Sequence, residues 1–200
     1  MQGKTLDRVL ILNITIVVEA VLLLLATLWS QFGEIDLLSL FRLNRNIVGI
    51  GLASGVLIAS SGLILLWLGN KFEAIKWLDS LKKIVVDELT PLFKTLNVAD
   101  IFMVAASSGF CEEVFFRGVV QNQLGLFLSA LLFGFFHCPT PRHFPYGVWA
   151  LCAGAFLGWL LIQTSSIWTP IFAHSLSNFL VLLYLRYGRK TSIDDKLDVN

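Results

Sequence analysis

Ile101-Phe-Met-Val-Ala-Ala-Ser-Ser-Gly-Phe-Cys-Glu-Glu-Val-Phe-Phe-Arg-Gly-Val-Val120 is an apolar, helix-length run that carries two adjacent carboxylates and an arginine. At about 20 residues it can span a hydrocarbon core of about 30 Å. Its small residues Ala105, Ala106, Ser107, Ser108 and Gly109 let a neighbouring helix come close. An ionisable group at the bilayer centre is costly, so Glu112, Glu113 and Arg117 persist there only if paired, facing a cavity or needed for function. On a helix Glu113 and Arg117 are four apart with the acid first, the spacing at which the two side chains meet and pair. Glu112 is rotated by roughly 100° from Glu113, off that pairing face, and so looks toward another helix.

The rest of the chain agrees with a membrane setting. Of 200 residues, 56% are apolar and only 14% charged, and the mean hydropathy is +0.76. The apolar share and hydropathy lie far above an ordinary soluble domain and the charged share far below it, which defines an all-α, polytopic helix bundle in one compact domain. The net charge of +1, with lysines and arginines scattered over loops, leaves no footprint for nucleic acid. Cys111, Cys138 and Cys152 sit in or beside apolar segments without framework spacing and read as free thiols.

Upstream, Val9 to Trp29 forms a first span behind Lys4 and Arg8, with no small-residue cleavage site, so it reads as an uncleaved helix. Glu19 in its middle is either a carboxyl satisfied within the bundle or part of a proton or substrate path. Residues 30–46 form a loop, and Ile47 to Leu68 a second span whose Gly51-x-x-x-Gly55 spacing favours close packing. From Asn70 to Asp100, Phe72, Ile75, Leu78, Leu81, Val85 and Leu89 recur at three- and four-residue steps among lysines and acids. That stripe predicts an amphipathic helix in the lipid interface, ended or restarted at Pro91.

Downstream, Gln121, Asn122 and Gln123 close the third span. Leu124 to His137 is a short fourth one stopped by Pro139 and Pro141. Tyr146 to Ile162 makes a fifth, and a sixth opens with Thr169 as N-cap before Pro170 and runs to about Tyr187. The expectation is thus about six transmembrane helices plus the interfacial one. It divides the chain into an N-terminal two-span region (1–98), a core (99–190) and a polar tail (191–200), partly disordered after Thr191. With both termini cytoplasmic, twelve basic residues fall inside against Arg42 and Arg45 outside, as the positive-inside rule prefers. An integral protein of a bacterial plasma membrane, bathed in membrane lipids, is the expected setting.

Three polar sets then lie at membrane depth: Glu112, Glu113 and Arg117; His137; and His174 with Asn178, which share one helix face. Two histidines on different spans with an unpaired glutamate and a carboxamide describe one pocket shared by three helices. Its residue types suit water activation, with glutamate as general base, one histidine orienting the water, and the other histidine with the carboxamide facing the oxyanion. They equally suit zinc held by Glu112, His137 and His174, with Cys138 in reach, an alternative that remains open at this point.

The motifs bear a resemblance. Glu112-Glu113-Val-Phe-Phe-Arg117 matches the E-E-x-x-x-R signature of the CPBP family of intramembrane proteases, which includes the CAAX prenyl endopeptidase of the Rce1 type. Phe133-Gly-Phe-Phe-His137 resembles its F-x-x-x-H motif, and His174-Ser-Leu-Ser-Asn178 its H-x-x-x-N motif. The resemblance runs from about Asp100 to Tyr187 and implies an intramembrane endopeptidase acting on a peptide or a prenylated protein. It would make Glu112 the base, His137 its partner, and His174 and Asn178 the oxyanion side, with Glu113 and Arg117 in support. The family also holds members tied to bacteriocin self-immunity, so a non-catalytic immunity or binding factor, or a small transporter, is the rival expectation.

Overall fold

The structure, a computed structural model, describes residues 7–188. Lys4, Arg189, Lys190, Lys196 and the tail beyond Thr191, with the expectations placed on them, lie outside the described residues. The expected all-helical bundle is what the chain forms. In order come α1 (Arg8–Phe32), α2 (Arg45–Lys71), α3 (Lys76–Lys83), α4 (Thr90–Phe93), α5 (Val98–Glu113), α6 (Gln121–Phe136), α7 (Phe144–Thr164) and α8 (Trp168–Leu183). π-helical stretches join α3 to α4 (Ile84–Leu89) and α5 to α6 (Val114–Val120), and a third extends α8 (Tyr184–Gly188). Among the described residues five helical segments are long and apolar enough to cross a membrane, one of them Val98–Phe136 taken as a single run.

That run is not straight, and its bend settles the short fourth span. Gly125 has φ 81° and ψ 168°, a left-handed conformation that glycine adopts without Cβ strain. In a continuous helix Phe116 and Phe133 would stand about 25 Å apart; their ring centroids are 5.0 Å apart. The Ser129 hydroxyl likewise donates to Phe116 O at 2.8 Å. The chain therefore turns back at Gly125, not at Gln121, Asn122 and Gln123, whose side chains instead bond Gly158 O, Gly118 O and Gly33 O. Only about 11 residues remain for the returning arm, roughly 16 Å of helix, so it ends inside the bundle and sets His137 near the depth of Glu112.

Ends of elements shift for physical reasons. α5 starts at Asn97, whose side chain accepts from Asp100 N while the Asp100 carboxylate accepts from Asn97 N, a reciprocal cap. Asp100 is also held by Arg8 through two bonds of 2.6 Å, which puts the starts of α1 and α5 on one side of the bundle. Thr169 is not the N-cap of α8: the helix begins one residue earlier, the Ser166 hydroxyl accepts from Trp168 N, and the Thr169 hydroxyl goes to Thr164 Oγ1 at 2.9 Å. The interfacial helix begins at Lys76, since α2 runs on to Lys71. Leu78, Leu81, Ile84 and Val85 are buried while Phe72 and Ile75 stay exposed. Pro91 does not end the segment but opens a new turn, at the start of α4. The π-helical stretch before it absorbs the missing N–H, and the Thr90 hydroxyl donates to Val85 O at 2.8 Å.

Small residues decide which helices meet. A Cβ on Gly51 would come 2.9 Å from Thr169 O, and one on Gly55 2.8 Å from Ala173 O, so the G-x-x-x-G spacing seats α2 directly on the backbone of α8. Where α5 crosses α8, a Cβ on Gly109 would stand 2.6 Å from the Ser175 N and 2.8 Å from its Cα. This crossing lies one turn from Glu113 and next to His174. Gly109→Ala is expected to push α5 and α8 apart, with about 1–3 kcal/mol of overpacking cost. A lowered melting temperature together with reduced activity would be the result; an unchanged melting temperature would show that the crossing yields freely.

Candidate functional site

Glu113 and Arg117 form the predicted pair. Arg117 Nη1 donates to Glu113 Oε1 at 3.0 Å, and both side chains are 0% exposed. The guanidinium is held on two further sides. Nη2 donates to Gly154 O at 2.9 Å, reached because Gly154 has no side chain, and the Phe133 ring lies 4.4 Å below the guanidinium carbon. The same Glu113 oxygen accepts from His174 Nδ1 at 2.7 Å. A carboxylate paired with arginine only accepts, so the Nδ1 of His174 carries its proton and Nε2 is left for another partner. Sequence spacing could not have shown this bond, which crosses from α5 to α8.

Glu112 is different. Its Oε2 is buried and, among the described residues, has no hydrogen-bond partner. It lines a cavity of about 80 Å³ together with His137, His174 and Asn178, so all four residues expected to carry chemistry meet at one space. His137 stands where the returning arm of α6 ends. Its Nδ1 lies 2.8 Å from Phe133 O, a carbonyl that can only accept, so Nε2 is the acceptor nitrogen of the neutral ring. Asn178 Nδ2 donates to Ser108 Oγ at 3.0 Å, which fixes the carboxamide and spends one of its two N–H groups. Tyr146 and Trp149 of α7 and Ser177 of α8 also line the cavity, and the sequence reading placed none of them there. Tyr146 entered that reading only as the start of a span, where a tyrosine ordinarily marks the membrane interface.

The small cavity is continuous with a larger one. A groove of about 240 Å³ shares Glu112, Tyr146, Trp149, Ser177 and Asn178 with it and, Ser108 aside, is otherwise walled by apolar side chains, among them Leu65, Leu81, Val85, Leu89 and Leu182. The interfacial segment thus forms one wall of the approach to Glu112. It also covers the loop behind His137. Glu88 forms an ion pair with Arg142 at 3.2 Å and accepts from His143 at 3.1 Å, and the His143 ring is braced by Thr140. Irregular backbone below the membrane surface needs such cover. Glu19 is 7% exposed on the inward face of α1, within electrostatic reach of Glu112 and His174, and its Oε2 has no partner among the described residues.

Zinc was the open alternative. Among the described residues no three His, Cys, Asp or Glu side chains come together as a ligand group. Glu113 is already engaged by Arg117 and His174, and carboxamides such as Asn178 are poor zinc ligands. The arrangement does not fit a zinc site. Protein purified without chelator is expected to contain well under one zinc per chain, with weak or slow inhibition by phenanthroline. One zinc per chain that disappears in His137→Ala, with activity returned to stripped protein by added zinc, would overturn that expectation.

Fold and site together describe a polytopic helical membrane protein with a buried acid, base and carboxamide cluster at the end of an apolar groove. Residues 94–180 match the family model described as type II CAAX prenyl endopeptidase Rce1-like, so this segment is similar to the Rce1-like family. The matched segment contains every residue of the three motifs and ends before the last helix does. No curated protein and no solved structure matches the chain significantly.

Proposed function

We propose that the chain is an intramembrane endopeptidase that hydrolyses a peptide bond of a membrane-associated substrate, CAAX-type prenylated proteins included. The observation that carries the reading is the meeting of Glu112, His137, His174 and Asn178, drawn from three separated motifs, around one cavity that opens into an apolar groove. A water needs about 10–15 Å³ of such space, so about 80 Å³ admits an attacking water and a carbonyl group. The groove walls suit a lipid-like or apolar chain, and the polar end lies at Glu112.

In this reading Glu112 accepts a proton from water while the water oxygen bonds to the carbonyl carbon. His137 Nε2 accepts the other water hydrogen and so orients the attack. The carbonyl electrons move to the oxyanion, which faces Asn178 and, when its ring is protonated, His174. On collapse the C–N bond breaks and the leaving nitrogen takes the proton from Glu112. Glu113 and Arg117 do no chemistry; they hold the tautomer and orientation of His174. The test is cleavage of a fluorogenic farnesylated CAAX peptide, with an unfolded protein as a second substrate, by reconstituted wild type and Glu112→Gln. Cleavage lost in the variant is the expected result; equal cleavage by both, or none by the wild type, would favour the non-catalytic rival.

A further inference from the structure

The oxyanion side of this site is short of hydrogen-bond donors. Asn178 has spent one N–H on Ser108, and His174, with its Nδ1–H given to Glu113, donates from Nε2 only when the ring is protonated. A further donor stands on α7. Tyr146 lines both the cavity and the groove, its ring 5.9 Å from that of His137, and its hydroxyl lies within electrostatic reach of Glu112. Among the described residues that hydroxyl of the half-buried Tyr146 has no hydrogen-bond partner, which leaves its O–H to donate into the cavity it lines. The ring itself is well held. It stacks on Trp149 at 5.9 Å and 23°, and the Trp149 indole N–H reaches Ser61 Oγ on α2 at 3.4 Å.

We propose that Tyr146 is a further catalytic residue, whose O–H donates a hydrogen bond to the substrate carbonyl oxygen as water adds to it. The proposal rests on the hydrolase reading and deepens it. Tyrosine keeps its proton throughout: the carbonyl electrons settle on the oxygen beside the O–H and return when the C–N bond breaks, and the proton of the leaving amine still comes from Glu112. A donor aimed where charge develops, in a site poor in water, stabilises the transition state more than the ground state.

Tyr146→Phe removes the O–H and keeps the ring, its volume and its stacking on Trp149. With the same two substrates and rates taken per mole of monodisperse protein, kcat is expected to fall about 10²–10³-fold, as for loss of one oxyanion donor, with KM nearly unchanged. Melting temperature and yield should stay at the wild-type level, whereas Tyr146→Ala should lower both. A Phe variant with kcat within about threefold of wild type, or one that raises KM and leaves kcat alone, would overturn the proposal and leave Tyr146 a wall of the groove. Glu112→Gln separates the two levels. If it is inactive while Tyr146→Phe is fully active, the hydrolase reading stands and the tyrosine proposal falls; if it is as active as wild type, or the wild type cleaves neither substrate, the hydrolase reading falls and the tyrosine proposal with it.

Discussion

Arg117→Ala is expected to destabilise the protein by about 3–5 kcal/mol, the cost of leaving a buried charge without its partner. Glu113 would keep only the His174 bond among its present partners, in a place with no access to water. The same change removes the cation held against Phe133 and the donor to Gly154 O, so the contact between the stretch after α5 and the middle of α7 loosens as well. Detergent-extracted yield and melting temperature should both drop. A double change, Glu113→Gln with Arg117→Met, should recover part of the loss, because replacing both members of a buried pair is far less costly than stranding one. If the single variant extracts and melts like the wild type, the pair is not a structural element of the site.

Glu112→Gln is the second large effect, and it falls on rate. The carboxylate has no hydrogen-bond partner among the described residues, so glutamine in its place strands nothing and yield should remain near wild type. What disappears is the proposed base. Positioned general acid–base groups contribute about 10²–10⁴-fold, equivalent to about 2.7–5.4 kcal/mol of barrier, and cleavage should fall by at least that much. The contrast between the two variants is sharper than either alone: adjacent glutamates, one read out in stability and the other in turnover. A Glu112→Gln protein that loses folded yield as Arg117→Ala does would erase the division of roles.

Much of this could be read from residue order. The hydropathy of Val9–Trp29, Ile47–Leu68 and the runs beyond Asp100 decides for a membrane bundle, because only long apolar helices satisfy every backbone group inside lipid. The four-residue spacing of Glu113 and Arg117 foretells their contact, and that of His174 and Asn178 their common face, since helical periodicity is a local property. The Gly51-x-x-x-Gly55 spacing likewise announced a close crossing. The stripe Leu78, Leu81 and Val85 announced the buried face of the interfacial segment, although Phe72 and Ile75 before it belong to the exposed connection from α2.

Contacts between helices needed the tertiary structure. Which carboxylate His174 meets depends on the depth at which α5 crosses α8, and Gly109 against Ser175 sets that depth; the result is Glu113, with Glu112 turned to the cavity. The reversal at Gly125 was hidden because glycine is common in membrane helices and only its backbone angles mark a turn. That turn makes α6 half a span and brings His137 beside Glu112. Tyr146 and Trp149 were silent for the same reason: an aromatic near the end of a span looks like an interfacial anchor until the packing of α7 on α6 and its approach to α2 place it at the cavity. Sequence by itself therefore determined the membrane class, the helix faces and the pairs within one helix, all set by spacing along the chain. The tertiary structure alone decided which faces meet and at what depth, because that depends on where glycines let two backbones touch.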